Sequence, residues 1–288
     1  MGYLHITNLY KKEGQDILLF KECYAMEKVH GTSSFLAWNK NTIEYSAGGE
    51  KPERFKALFN ESNLTEKFIQ LGYNERNVTV YGEGYGGSQQ KMSDTYGKEL
   101  KFIAFDVCLD DKTWLNVPDA ENFCKELGIE FVHYVKISTD IKEIDAQRDA
   151  YSVQAVRNGI TEPKKREGVV LRPLNEFVNS FGERIICKHK GDDFRETATP
   201  RKVDKPQEVL NNASLIADEY VTEMRLEHVL DKIPNHGMDK MNIILNAMVE
   251  DVIREAKGEI IVDDFVRKEI RNKTVKIYKQ YLNGKITQ

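Results

Sequence analysis

Residues 23–38, CYAMEKVHGTSSFLAW, carry two apolar segments joined by a short polar turn. Both segments are rich in apolar and aromatic residues, so the pattern predicts two strands, over ECYAM and SSFLAW. Lys28 lies in the turn EKVHGTSS between them, with Gly31 three residues further along. The turn therefore places a lysine amine at the mouth of a sheet, on backbone that is held from both sides.

A lysine followed by a glycine three residues later is not a specific signal in this chain. The spacing occurs at Lys11, Lys28, Lys125, Lys165 and Lys188. Lys125 lies in a helical pattern and Lys11 in a polar turn, so neither position indicates chemistry. Lys28 differs because it lies in a tight turn between two predicted strands.

The composition is that of an ordinary soluble protein. The 288 residues are 40% hydrophobic and 31% charged, with a formal net charge of −4. No apolar run approaches the roughly 18 residues of a membrane span, and the first residues lack the pattern of a secretory signal. Four scattered cysteines predict reduced thiols in a cytoplasm rather than a zinc site. Because the net charge is negative, any nucleic-acid binding must use a local basic surface.

Residues 1–197 contain short apolar runs separated by helical patterns. Further runs predicted as strands are TIEYSA, NVTVYG, LKFIAFDVCL, IEFVHYVKI, EGVVLRP and RIICKHK. Helical patterns lie over KPERFKALFNESNLTEKFIQLG, PDAENFCKELG and DIKEIDAQRDAYSVQAVRNG. Strands and helices mix without strict alternation, which predicts an antiparallel-rich α+β domain.

The pattern changes after Phe194. The segment RETATPRKVDKPQ is polar, contains two prolines and predicts a linker. Three helical segments follow it: EVLNNASLIADEYVTEMRLEHVLDKI, DKMNIILNAMVEDVIREAKG and VDDFVRKEIRNKTVKIYKQYLNG. They predict a small all-helical domain over residues 198–288.

Four motifs follow the Lys28 turn in order: VYGEGYGG, FIAFDV, EGVVLRP and ICKHK. This series resembles the covalent nucleotidyl transferase superfamily of DNA ligases, RNA ligases and mRNA capping enzymes. The chain is most similar to the RNA ligase 2-like group, because its turn reads Lys-Val-His-Gly and its tail is helical. DNA ligases and capping enzymes usually have Asp before the Gly and a barrel in the tail. The resemblance implies an ATP-grasp-like ligase fold for the first domain.

The resemblance also implies that Lys28 attacks ATP and forms lysyl-AMP. A free lysine has a pKa of about 10.4, so its amine needs activation by like charge, burial or a metal. Lys188 and Lys190 alternate on a predicted strand and point to the same side. By resemblance these two lysines hold the phosphates, although a solvated strand face is the alternative for the pair.

The remaining roles come from the resemblance alone. Glu167 binds the catalytic Mg²⁺ or Mn²⁺, since a carboxylate suits a hard ion that bridges phosphate oxygens. Arg172 matches a basic position at the far end of that strand and is assigned to the cofactor.

The nucleoside contacts are assigned in the same way. Glu83, which lies between glycines, contacts the sugar, and Phe105 stacks on adenine, although an ordinary core position fits Phe105 equally well. Backbone groups of Glu27 and Val29 read the adenine edge beside Gly31, the glycine of the turn.

Two positions depart from the pattern of the group. Ser33 stands where the group usually has Asn. Gly48 or Gly49 stands where it usually has arginine. Lys51 or Arg54 could substitute from the same loop. The departures bear on how the AMP phosphate or a 5′-phosphate end is held.

The last helical segment is strongly basic. Its basic residues are Arg267, Lys268, Arg271, Lys273, Lys276, Lys279 and Lys285. The predicted buried stripe is Phe265, Ile270, Val275, Ile277 and Leu282, with Tyr278 or Tyr281 beside the cationic face. Such a face fits phosphate binding or simple solubility.

The sequence thus predicts an ATP-dependent RNA ligase that joins 3′-hydroxyl and 5′-phosphate ends, with nicked duplex RNA as its substrate. It indicates no membrane and no obligate protein partner. A DNA or mixed RNA/DNA ligase would differ only in strand choice. A GTP-using capping enzyme is disfavoured by His30 and the helical tail. A catalytically inactive RNA-binding relative is the alternative from a different class, disfavoured because the motif lysines and glutamates are all present.

Overall fold

The chain forms two compact units, Met1–Gly191 and Asp192–Gln288. The computed structural model describes residues 2–203, 209–233 and 235–286. The units divide at residue 191, whereas the sequence pattern placed the boundary at residue 197.

The first unit is built on two five-stranded sheets. Its strands are β1 (Thr7–Asn8), β2 (Glu22–Lys28), β3 (Thr32–Asn39), β4 (Thr42–Ser46), β5 (Asn77–Tyr85), β6 (Lys101–Leu109), β7 (Thr113–Trp114), β8 (Tyr134–Ser138), β9 (Gly168–Pro173) and β10 (Cys187–Lys190). The first sheet has the order β1-β10-β9-β2-β8 and the second β4-β3-β5-β6-β7. Strand β1 runs parallel to β10, and the other pairs are antiparallel, as the α+β prediction required.

The helices of this unit are α1 (Pro52–Lys56), α2 (Glu61–Gln70), α3 (Ser93–Tyr96), α4 (Val117–Leu127), α5 (Ile141–Arg148) and α6 (Val153–Arg157). The predicted helices over KPERFKALFNESNLTEKFIQLG and DIKEIDAQRDAYSVQAVRNG were too long. Each segment forms two helices, α1 and α2 in the first and α5 and α6 in the second. The side chains of Asn60 and Ser152 accept hydrogen bonds from backbone N–H groups three residues on, which starts a new helix at each point. In the part of the chain that the structure describes, no helix is long and apolar enough to cross a membrane.

Strand β9 brings the lysine motifs together. Gly168 pairs with Lys28 on β2 and with Lys190 on β10, while Val170 pairs with Lys188. Directly opposed residues of antiparallel strands share a face of the sheet. The three lysines therefore lie on one face.

The two strands on either side of the Lys28 turn belong to different sheets, since β2 lies in the first sheet and β3 in the second. Lys28 is thus the last residue before the chain crosses between sheets. The second sheet is anchored by a buried core that includes Leu36, Trp38, Val78, Val80, Ile103 and Val107. Such a core fixes the register of β3, β5 and β6, because a slip by one residue would expose it.

The second unit is helical. Its helices are α7 (Ala213–Tyr220), α8 (Glu223–Asp231), α9 (Met241–Glu255) and α10 (Asp264–Ile286). The first of the three predicted segments forms both α7 and α8, because the side chain of Thr222 caps α8 by accepting a hydrogen bond from the backbone N–H of Arg225.

Helix α10 packs through a stripe that overlaps the predicted one in part: Ile270 is buried, and Ile277 and Leu282 pack against the core of the unit. Its buried positions are Val266, Ile270, Thr274 and Tyr278, each four residues apart. Phe265 is 73% exposed, so its predicted burial was wrong. Tyr278, which was expected near the cationic face, is buried because its hydroxyl donates to the carbonyl oxygens of His236 and Gly237.

The predicted linker is not an open connection where it is described. The backbone N–H of Ala198 donates to the Glu219 carbonyl oxygen at 2.8 Å, and the Thr199 hydroxyl donates to the Glu219 carboxylate at 2.8 Å. Residues 195–203 therefore belong to the helical unit, because their polar groups find partners on α7. The rest of the predicted linker, residues 204–207, lies outside the described residues.

Candidate active site

Glu167 is the centre of a charged cluster drawn from three segments. Its side chain is 1% exposed. Lys28 Nζ donates to Oε2 at 2.9 Å, and His30 Nδ1 lies 2.9 Å from the same oxygen. Lys190 Nζ lies 2.9 Å from Oε1. Strand β2, the turn after it and strand β10 thus meet at one carboxylate.

The charges around Glu167 decide its ionisation. Burial opposes ionisation, but the charges of Lys190, Lys28 and His30 outweigh burial and hold the pKa of Glu167 well below its usual range. The carboxylate is therefore ionised throughout the neutral range and forms ion pairs with both lysines.

Gly168 allows Glu167 and Lys190 to approach each other closely. Its φ of +152° is one that side-chain-bearing residues rarely adopt, and an added Cβ would lie 2.2 Å from the carbonyl oxygen of His189. A larger residue here would push β9 from β10 and separate Glu167 from Lys190.

Gly31 has a similar role on the other side of the site. An added Cβ would lie 2.3 Å from the carbonyl oxygen of Gly84 and 3.1 Å from Cγ of Glu83. The glycine therefore lets the turn after Lys28 pack against the end of β5. Glu83, which is partly buried, pairs with Ser33 across β3 and β5. The predicted sugar contact thus lies beside the lysine turn.

Glu27 is buried and its side chain is engaged. The carboxylate accepts hydrogen bonds from Ser152 Oγ at 2.5 Å and from the backbone N–H groups of Val153 and Gln154 at 2.9 and 3.3 Å. The carboxylate therefore closes the start of α6, and the backbone N–H of Glu27 is also engaged, by a carbonyl oxygen at 2.8 Å. Val29, also buried, follows Lys28 in the turn.

Phe105 and Arg172 do not contact the Glu167 cluster. Phe105 is partly buried on β6, which is separated from β4 by β3 and β5 in the second sheet. Arg172 is 1% exposed and donates to Asp106, to Glu176 and to the carbonyl oxygen of Leu115. Its guanidinium is used to join the two sheets, so this geometry gives no support to a cofactor contact.

Three residues near the site were not identified from their sequence patterns. His30 was noted only as a mark of the group, yet its ring contacts Glu167. The Tyr96 hydroxyl accepts a hydrogen bond from the backbone N–H of His30 at 3.3 Å, and Ser152 binds Glu27. Tyr96 and Ser152 are 66 and 125 residues from these partners, so no local spacing could reveal them.

The loop after β4 has no room for a side chain at Gly48. Gly48 has φ +56°, and an added Cβ would lie 2.3 Å from Oγ1 of Thr32, so no side chain fits. The N–H of Gly49 donates to the same Oγ1 at 2.8 Å. Arg54 lies on α1, beyond this loop, with its Nη1 3.2 Å from Oε1 of Glu50.

The site therefore combines a lysine at the end of β2, a buried carboxylate and two lysines on β10, which are the residue types that the resemblance to covalent nucleotidyl transferases assigned to it. The family model for RNA ligase matches residues 21–190, which is more than half of the chain. The chain belongs to the RNA ligase family, and the prediction of this family is confirmed.

Solved structures of a Naegleria gruberi RNA ligase have the same fold. A variant with ATP and Mn is 17% identical with a TM-score of 0.52, and another variant with AMP and Mn is 16% identical with a TM-score of 0.51. In both comparisons 67% of this chain covers 57% of the other chain. The chain thus spans little more than half the length of these ligases, and the likeness confirms the predicted fold.

Proposed function

We propose that this chain is an ATP-dependent RNA ligase that joins 3′-hydroxyl and 5′-phosphate ends. The reaction runs through lysyl-AMP on Lys28 and then a 5′-adenylylated RNA. The observation that carries the proposal is the 2.9 Å contact of Lys28 with Glu167 within an RNA ligase family chain. The Naegleria structures that contain ATP or AMP with Mn support the choice of nucleotide.

The first step forms a bond between Lys28 Nζ and the α-phosphorus of ATP and breaks the bond to pyrophosphate. The amine must first leave Glu167 and lose a proton, because an ammonium has no electron pair for attack. Lys190 and Lys188, on the same face as Lys28, stabilise the charge that grows on the phosphate oxygens. In the later steps AMP passes to the RNA 5′-phosphate, and the 3′-hydroxyl then displaces AMP.

Glu167 is the residue that would hold a divalent ion, Mg²⁺ or Mn²⁺. Its carboxylate is ionised, and such ions bind one or two carboxylates together with phosphate oxygens. Among the described residues no group of three or more His, Cys, Asp or Glu could hold a metal, so phosphate and water would supply the other ligands. The ion would neutralise phosphate charge during transfer.

The nucleoside half of ATP binds along β5 and β6. Glu83 contacts the ribose, since it lies beside Gly31 and the Lys28 turn. Phe105 stacks on adenine, and the backbone of Glu27 and Val29 contacts the base edge. Phe105 is only partly buried, which is compatible with such stacking.

The RNA contact of the second unit is proposed for one face of α10. Arg267, Arg271 and Lys273 are used inside the unit, with Glu250, Asn246 and Asp218 as their respective partners. The lysines that face solvent in one row are Lys268, Lys276 and Lys279. They are spaced to follow a phosphate backbone, which dominates nucleic-acid affinity.

Replacing Lys268, Lys276 and Lys279 with alanine tests this face. Binding to nicked RNA should weaken, and the slope of log K against log salt should fall by about two to three. The control changes Lys112, Lys125 and Lys142, which are exposed in the first unit and remove equal charge. An unchanged slope in the first variant would refute the face.

Incubation with radiolabelled ATP or GTP tests the function directly. The chain should become labelled by ATP and not by GTP, and should then seal nicks in duplex RNA faster than in DNA. Equal sealing of DNA would favour the mixed ligase. Failure to label with either nucleotide would favour the inactive RNA-binding relative.

A further inference from the structure

Phe105 lies at an irregularity of the second sheet. Asp106 pairs with Tyr81 and Ala104 with Gly82, so Phe105 is the extra residue between two paired positions. A bulge of this kind re-aims a side chain and leaves it without a directly opposed neighbour. The Phe105 ring packs against the buried core of the second sheet, and further contacts come from outside the strand pair.

Tyr3, in the segment before β1, supplies those contacts. Its ring lies edge-on to Phe105, with ring centroids 4.9 Å apart and an angle of 72° between the planes. It also packs against Tyr81 at 5.0 Å and Trp114 at 5.7 Å. Edge-to-face pairs of this geometry stabilise a ring orientation beyond simple burial.

The Tyr3 hydroxyl anchors the ring. It donates to Asp106 Oδ2 at 2.7 Å, and Arg184 donates to the same oxygen at 2.8 Å. Asp106 is fully buried and also accepts from Arg172 at 3.0 Å. Burial and the Asp106 charge raise the pKa of Tyr3 well above its usual range, so the hydroxyl stays a donor. The residue next to Phe105 thus holds the ring that packs on Phe105.

We propose that Tyr3 is a positioning residue of the nucleotide site, which holds the Phe105 ring in the orientation that accepts adenine. The inference rests on the proposed function, because Phe105 is assigned to the base there. It adds a residue that lies outside the matched residues 21–190. Loss of the Tyr3 ring should therefore weaken nucleotide binding and leave the rate of the reaction at Lys28 nearly unchanged.

The test is the ATP dependence of Lys28 adenylylation in the full chain with Tyr3→Ala and Tyr3→Phe. Tyr3→Ala should raise the KM for ATP about fivefold to tenfold, with a limiting rate within about threefold of the parent. Tyr3→Phe, which keeps the ring, should restore most of the affinity. The control Ile17→Val loosens the same N-terminal region at a fully buried position without touching Phe105, and should leave KM unchanged.

An unchanged KM in Tyr3→Ala, or an equal rise in Ile17→Val, would overturn the inference. If Tyr3→Ala does not fold, Tyr3→Leu fills the space without the ring edge, and its contrast with Tyr3→Phe decides the matter. Failure of the unaltered chain to label with ATP would refute the proposed function itself. That outcome is distinct from a labelled parent whose Tyr3 variants bind ATP normally.

Discussion

Two buried carboxylates of the first unit, Glu167 and Asp106, are each surrounded by cations, but by different ones. Glu167 is shared by Lys28 and Lys190, whose side chains are 23% and 10% exposed. Asp106 is shared by Arg172 and Arg184, whose side chains are 1% and 7% exposed.

The balance of charge also differs. Around Glu167, two lysines share a single carboxylate. Around Asp106, two arginines share two carboxylates, because Glu176 also pairs with both arginines. Lysine is a compact charge on a flexible stem that can exchange partners, while the arginine fork is held in a fixed geometry. The Glu167 cluster is therefore suited to binding an incoming anion, whereas the Asp106 cluster is suited to joining the two sheets.

The largest effect is expected at the nucleophile. Lys28→Ala should lower AMP labelling about a thousandfold or more, because it removes the amine that is proposed to attack ATP. Lys125→Ala and Lys11→Ala, which share the lysine–glycine spacing, are the controls and should label normally. Substantial labelling of Lys28→Ala would show that the lysine cluster has been misassigned.

Glu167→Ala should lower labelling about a hundredfold or more at every magnesium concentration. The carboxylate positions the ion as well as binding it, so added metal cannot restore the rate. Glu167→Asp should recover little, because magnesium demands strict geometry. The measurement is a titration of initial labelling rate against Mg²⁺, and rescue of the alanine variant at high Mg²⁺ would contradict the assignment.

A fragment that ends at Gly191 should keep adenylylation, since Lys28, Glu167 and both strand lysines lie within the first unit. Its sealing of a nick with a ready-made 5′-adenylate should fall about tenfold or more, because the proposed phosphate contacts of α10 are lost. Circular dichroism establishes that the fragment is folded. Sealing at the full rate would refute the proposed RNA contact of the helical unit.

Arg184→Lys tests the structural cluster. It should destabilise the protein by about 2–3 kcal/mol, because a buried carboxylate loses fixed partners. The matched control is Arg76→Lys, whose solvent-exposed pair with Asp110 should contribute little to stability. Urea unfolding measures both. Similar losses for the two variants would remove the distinction between buried and exposed pairs.

The smallest effect concerns acid stability. The pKa of Glu167 is lowered in the folded state, so its stabilisation is present above the unfolded value of about 4.3 and disappears as pH falls through the folded pKa. The parent should therefore exceed Glu167→Gln in stability at pH 7, and the gap should shrink below pH about 4. A gap that is independent of pH would show that the charge of Glu167 is not responsible.

Much of the fold was predictable because its signals are local. The strands over SSFLAW, NVTVYG and EGVVLRP were identified by apolar runs, and all lie in β3, β5 and β9. Two helices were predicted too long, because the pattern stays helical through Asn60 and Ser152. The side chains of these two residues accept hydrogen bonds from backbone N–H groups, and a new helix starts at each.

The family could be predicted from the sequence alone. The five motifs, which begin at the Lys28 turn, are recognised by their residues and their order, without knowledge of contacts. The sequence also determined that Lys188 and Lys190 share a face, since strand alternation is a property of the backbone. Tertiary structure alone decided that Glu167 joins Lys28 and Lys190, that Arg172 is used between sheets, and that Tyr3 reaches Phe105. These contacts join residues that are tens to more than a hundred positions apart. Their partners are selected by sheet register and burial, which no local pattern encodes.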